Sequence, residues 1–226
     1  MAEIILALDL PSGGEALTLL DRLPGLRWVK LGSVLMTREG PGLIKVLQDR
    51  GLQVFLDLKW HDIPNTVAGS VSAARDHGVT LATVHTLGGG MMMEAASRAA
   101  GGELKLVGVT VLTSHDDTSL GEAIGRPDVR TGAEVVRLAR QAMGAGLDGM
   151  VCSPLEIASV RAVEGPPALI VVPGIRRSDD AAGDQRRTAS PEAAIAAGAT
   201  HLVVGRPIIE AENPGDVLRS MLNVTI

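Results

Sequence analysis

Four charged residues stand in or just after otherwise apolar segments. Lys30 lies within Trp28–Gly32, and Asp57, Lys59 and Asp62 lie at and beyond the end of Val54–Lys59. A charge in an apolar segment costs free energy unless an opposite charge offsets it. One such residue fits a structural ion pair. Two lysines and two aspartates fit an alternating charge network. In such a network each charge offsets the desolvation cost of the next. If Val54–Lys59 is a strand, side-chain alternation puts Asp57 and Lys59 on one side of it.

A second constellation suits an anion. Val172-Pro-Gly-Ile-Arg176 and Val204-Gly-Arg-Pro207 each place a glycine and an arginine after an apolar run. Gly174 and Gly205 let backbone approach a ligand closely. Arg176 and Arg206 offer forked, permanently charged donors to a phosphate. The stretch from Arg176 to Ser190, with Gly183, Asp184 and Gln185, reads as a lid over that phosphate.

These residues need a scaffold that gathers strand ends. Eight short apolar runs recur along the chain: Ile4–Leu10, Trp28–Gly32, Val54–Lys59, Leu81–Thr86, Leu106–Leu112, Gly149–Ser153, Leu169–Gly174 and His201–Gly205. Most are apolar on both faces, as parallel strands covered on both sides are. Ala-rich amphipathic stretches lie between them, among them Gly42–Arg50, Val67–His77, Met91–Ala100, Ala133–Ala145 and Glu192–Ala197, often closed by glycine as a helix end is. Eight strand–helix repeats predict a (β/α)8 TIM barrel in a single domain, residues 1–226, ahead of an open doubly wound sheet. Thr113–Arg130 and Ile175–Ser190 read as irregular connections on the C-terminal face, where barrels build their sites.

Composition narrows the function. The 226 residues carry a net charge of −5, without the basic stripe of a nucleic-acid binder. Trp28, Phe55 and Trp60 are the only aromatic residues, so no base-stacking platform is expected. Cys152, the single cysteine, excludes an internal disulfide and a Cys-rich zinc site. No apolar run is long enough to span a membrane, and a cytoplasmic protein is expected. No pyridoxal, thiamine or flavin signature is visible, so no cofactor is expected, and no metal. His61 and His85 read as structural, Met91–Met93 as helix packing, Cys152 as a buried small side chain, and Asp116-Asp117 as a cap or solvated loop.

The run Leu56-Asp-Leu-Lys-Trp-His-Asp-Ile-Pro-Asn-Thr66 resembles the signature of the orotidine 5'-monophosphate decarboxylases, particularly the short bacterial type. Ala7-Leu-Asp9, Val29-Lys30, Val109-Thr-Val-Leu-Thr-Ser114, Pro173-Gly-Ile-Arg176, Gly183-Asp-Gln-Arg186 and Val204-Gly-Arg-Pro207 extend the resemblance, in order, over nearly the whole chain. Trp60 stands where that family more often has phenylalanine. The resemblance implies a barrel that removes carbon dioxide from orotidine 5'-monophosphate. In it Lys59 is the proton donor, Asp57 faces the departing carboxylate, and Lys30 neutralises Asp57 and contacts the ribose. It implies a homodimer in which Asp62 and Thr66 cross to the neighbouring site. Asp9 would hold a ribose hydroxyl, and Thr113, with Ser114, the pyrimidine. Arg176, Gln185, Gly205 and Arg206 would hold the phosphate.

Three rivals share parts of the pattern. Magnesium-dependent sugar-phosphate decarboxylases and synthases carry a similar Asp-x-Lys-x-x-Asp segment, but Lys30 on the second strand would repel a metal ion. A Schiff-base aldolase needs a lysine that has lost its proton, which Asp57 and Asp62 disfavour. A phosphate-binding barrel without catalysis would not need the complete charge cluster.

Overall fold

The computed structural model describes residues 2–164, 168–176 and 187–225. Eight strands, β1 (Glu3–Ala7), β2 (Trp28–Gly32), β3 (Gln53–Trp60), β4 (Leu81–His85), β5 (Lys105–Val109), β6 (Gly149–Val151), β7 (Leu169–Val172) and β8 (His201–Val204), pair in parallel and in chain order. The pairing of β1 with β8 closes the barrel. The open-sheet alternative is thereby excluded.

Helices cover the outside: α1 (Gly13–Leu20), α2 (Ser33–Glu39), α3 (Gly42–Asp49), α4 (Pro64–Asp76), α5 (Gly89–Ala100), α6 (Asp117–Ile124), α7 (Thr131–Gly144), α8 (Ile157–Glu164), α9 (Pro191–Ala197), α10 (Arg206–Ile209) and α11 (Pro214–Thr225). Local chemistry sets many of their ends. The Ser12 and Ser190 hydroxyls accept from backbone N–H groups in the first turns of α1 and α9. Gly101 and Gly198 end α5 and α9 with positive φ, which only glycine adopts cheaply.

The expected irregular stretch Thr113–Arg130 instead contains α6. Asp116 accepts from the Ser119 N–H at 2.9 Å, and the Asp116 N–H donates to the Ser119 hydroxyl at 3.1 Å, a capping box that starts the helix. Asp117 then accepts from the Thr131 N–H at 2.8 Å, fixing α6 against the start of α7.

Two apolar layers result. The larger lies between barrel and helices. The smaller fills the barrel itself, with Ile5, Ala7, Trp28, Phe55, Leu81, Val107, Val171 and Val203 buried and Val151 packed against them. Every strand contributes to it. Moving two residues toward the C-terminal end from Ala7, Trp28, Phe55 and Leu81 reaches Asp9, Lys30, Asp57 and Thr83. Strand alternation therefore sets a polar layer directly on an apolar floor.

Candidate active site

A cavity of about 670 Å³ opens at the C-terminal end of the barrel. Ala7, Phe55, Val109, Val151, Val171 and Val203 form its apolar floor and walls. Asp9, Lys30, Asp57, Lys59, Thr113, Arg176, Gly205 and Arg206 also line it, so the structure brings together most of the residues singled out in the sequence. Gln185 falls outside the described residues.

The charges alternate along β1, β2 and β3. Lys30 Nζ lies 2.9 Å from Asp9 Oδ1 and 3.6 Å from Asp57 Oδ2, and Lys59 Nζ lies 2.9 Å from Asp57 Oδ1. Asp57 and Lys30 are nearly buried, with 12% and 11% of their side chains exposed. For Asp57 the largest single influence is burial, which raises its pKa. Lys30, Lys59 and hydrogen bonds from Lys59 and Thr83 together outweigh it and hold the carboxyl below its usual 3.8. Lys30 occupies the space between two carboxylates where a cation would otherwise be drawn. Among the described residues no three His, Cys, Asp or Glu side chains are grouped to hold a metal ion.

Lys59 reaches this position by a different route from simple alternation. Between Leu56 and Trp60 on β3 the pairing with β4 shifts, because Leu56 opposes Ala82 while Trp60 opposes Val84. Four steps on β3 thus match two on β4, a bulge of the kind that re-aims side chains. Lys59 within it has φ +51°, the one positive φ outside glycine among the described residues. An L-residue pays roughly 1–2 kcal/mol for that conformation. The Lys59 N–H, taken out of the regular ladder, donates to the Thr83 hydroxyl at 2.8 Å, and that hydroxyl donates to Asp57 Oδ1 at 3.1 Å.

Asp62 and Thr66 stand apart from the cavity within one chain. Asp62 is exposed and accepts from the Ile63 N–H at 2.6 Å; Thr66 lies exposed on the first turns of α4. Near them the His61 and His85 rings stack with centroids 5.5 Å apart. His85 Nδ1 accepts from the Leu87 N–H at 3.3 Å. Burial, then the proximity of His61 and Lys59, pushes the His85 pKa down to about 4. Ile63, Leu87 and Met91 on the same segments are exposed, Met91 by 77%. The expectation of packed methionines thus holds for Met92 and Met93, which are buried, and fails for Met91.

The lid expected over Arg176–Ser190 lies largely outside the described residues. Gly174 has φ +80° and needs to be glycine. A Cβ at Gly205 would meet only Ala7, at an ordinary 3.6 Å, so packing does not require this glycine. Cys152 also lines the cavity, but burial pushes its thiol up to about 12, which leaves it a poor nucleophile.

Three features escaped the sequence reading. Thr83, fully buried, looks like any β-branched strand residue; its signal was its place two residues before His85, on the interior side of β4. Gly32 makes room for the charge row, since a Cβ there would stand 3.1 Å from Lys30 Nζ and 3.3 Å from Asp9 Oδ1. Arg187 bridges Glu156 at 2.6 Å and donates to the Leu112 carbonyl at 3.1 Å, while Glu156 also accepts from Ser153. This buried unit braces the segment that leads into Thr113.

Comparison with known proteins decides the family. A family model described as "Orotidine 5'-phosphate decarboxylase / HUMPS family" matches residues 2–221. The chain belongs to this family. It is 51% identical over 215 residues to a protein named orotidine 5'-phosphate decarboxylase from Halorhodospira halophila, covering 93% of this chain and 90% of the relative. It is likewise 51% identical over 219 residues to one of the same name from Alkalilimnicola ehrlichii, covering 94% and 92%. The crystal structure of orotidine 5'-phosphate decarboxylase from Lactobacillus acidophilus superposes with a TM-score of 0.88 at 35% identity, covering 99% of both chains. This family's barrel is therefore the frame in which the charge row is to be understood.

Proposed function

We propose that the chain decarboxylates orotidine 5'-monophosphate to uridine 5'-monophosphate and carbon dioxide, the last step of de novo pyrimidine biosynthesis, without a cofactor. The observation that carries this reading is the Asp9–Lys30–Asp57–Lys59 row beside arginine and glycine loops in one cavity. Relatives named for this activity, matched over nearly their full length, support it.

The bond between C6 of the pyrimidine and its carboxylate breaks, carbon dioxide leaves, and the electron pair remains on C6. The Lys59 ammonium stabilises that charge and gives it a proton, so the reaction consumes one proton per turnover. Asp57 orients Lys59 and faces the departing carboxylate. Asp9 and Lys30 hold the ribose, and Thr113 the pyrimidine. Arg176, Gln185, Gly205 and Arg206 hold the phosphate, whose binding energy can be used at the distant reacting carbon.

Asp62 and Thr66 act in the site of a second copy of the chain. Their exposure, and that of Ile63, Leu87 and Met91 beside them, fits a surface covered by a homodimer. Mixing inactive Lys59→Ala and Asp62→Ala proteins is expected to restore activity, because hybrid dimers contain one complete site. Mixing without recovery contradicts the shared site.

The test is orotidylate decarboxylation, followed by loss of orotidylate absorbance, with and without a chelator. Turnover unchanged by chelation is expected. No turnover, or turnover that chelation abolishes and magnesium restores, contradicts the proposal.

A further inference from the structure

Thr83 closes a ring of polar contacts that the charge row alone does not account for. Its hydroxyl carries one hydrogen, and the Lys59 N–H already occupies an acceptor lone pair at 2.8 Å. The hydrogen is then directed to Asp57 Oδ1 at 3.1 Å, the same oxygen that receives Lys59 Nζ at 2.9 Å. Asp57 as a carboxylate can only accept, so the direction of every bond in the ring is fixed. The ring runs from the Lys59 backbone through Thr83 and Asp57 to the Lys59 ammonium. It encloses the strained residue and its own side chain.

Thr83 has no solvent exposure, and it sits where β4 passes the bulge, between Ala82 and Val84, the partners of Leu56 and Trp60. Strained backbone persists where its surroundings over-determine it. Among the described residues, the side-chain acceptor of the Lys59 N–H is the Thr83 hydroxyl.

We propose that Thr83 is a positioning residue that sets where the Lys59 ammonium points, by holding the bulged backbone and orienting the Asp57 carboxylate together. This rests on the decarboxylase reading given above. Thr83 lies beneath the reacting groups and acts through both partners. The other charges facing Asp57 are Lys30 on β2 and Lys59 on its own strand. Asp9 lies beyond Lys30, and His85 and His61 stand near Lys59. The Thr83 hydroxyl is the uncharged donor in that set, so its removal changes no formal charge.

The experiment compares Thr83→Val, nearly equal in volume, with Thr83→Ser, which keeps the hydroxyl. Thr83→Val is expected to lower kcat on the order of 100-fold, the cost of a small misplacement of a catalytic group. Binding of uridine 5'-monophosphate should be little changed. The Asp57 carboxyl, followed by carbon-13 NMR with Asp57→Asn for assignment, should titrate at higher pH in Thr83→Val, and the acid limb of kcat should move up with it. Thr83→Ser should restore both. If Thr83→Val fails to fold, Thr83→Ala receives the same measurements.

Wild-type kcat and an unmoved Asp57 titration in a folded hydroxyl-free variant overturn the inference. So does a loss of activity that Thr83→Ser does not recover. The carboxyl titration needs no turnover, so an inactive wild type would count against the decarboxylase reading while the NMR result still judged the ring.

Discussion

At the C-terminal end of the barrel Asp57 is buried and charged; at the opposite end His201 is buried and neutral. Asp57 has Lys30 and Lys59 against its two oxygens, and these hold its carboxyl below the ordinary range despite burial. His201 packs edge-on against Trp28, with ring centroids 5.4 Å apart, and its Nδ1 lies 2.9 Å from the Thr200 hydroxyl. Burial alone pushes its pKa down to about 4. Desolvation is large at both ends, and opposite charge within reach decides the outcome at each. The same (β/α)8 frame therefore supports a polarised reaction chamber above and a neutral plug below. Ala7, Phe55, Val151, Val171 and Val203 separate them.

The contrast is most severely tested by Asp57→Asn. This removes the charge shared by both lysines while retaining the shape. A fall in kcat on the order of 100- to 1000-fold is expected. Thermal unfolding should also show destabilisation of about 1–3 kcal/mol, because the nearly buried Lys30 loses one of its two carboxylate partners and keeps Asp9. A variant as stable and active as wild type would mean that the row is a surface-like pair.

Phe55→Ala tests the floor. Phe55 is among the largest fully buried side chains, and its truncation should destabilise the protein by about 3–5 kcal/mol in denaturant unfolding. Loss of less than about 1 kcal/mol would show that the barrel interior collapses readily around the gap.

The smallest expected effect is at His201. Its folded-state pKa lies below the unfolded 6.5, so the unfolded chain takes up the proton first as pH falls. Its contribution is complete above about pH 6.5 and is lost as pH drops through 4. The total is about 3 kcal/mol, by the conversion of pKa difference to free energy. His201→Leu should flatten the dependence of Tm on pH over that window. It should not abolish it, since His85 shifts in the same direction. An unchanged slope would place the acid sensitivity elsewhere.

Much of this contrast was legible in the sequence, for specific reasons. Lys30, Asp57 and Lys59 interrupt apolar runs, and such interruptions are costly enough to be informative. The runs themselves marked all eight strands, to within three residues at each end. What escaped was relational. The bulge at Lys59 depends on how many β4 residues oppose β3, which no window of β3 reveals. Thr83 became meaningful only when it met Lys59 and Asp57 across the strand pair. Helix α6 is short, and its capping box uses Asp116 with Ser119 in place of the usual acidic third residue, so the local signal was weak. The Glu156–Arg187 bridge joins residues far apart in the chain.

The most direct measurement concerns Lys59 itself. Lys59→Ala should abolish decarboxylation of orotidine 5'-monophosphate while uridine 5'-monophosphate still binds in a calorimetric titration, because the phosphate and ribose contacts remain. Decarboxylation by Lys59→Ala at a rate near that of wild type would contradict the assignment of the proton to Lys59.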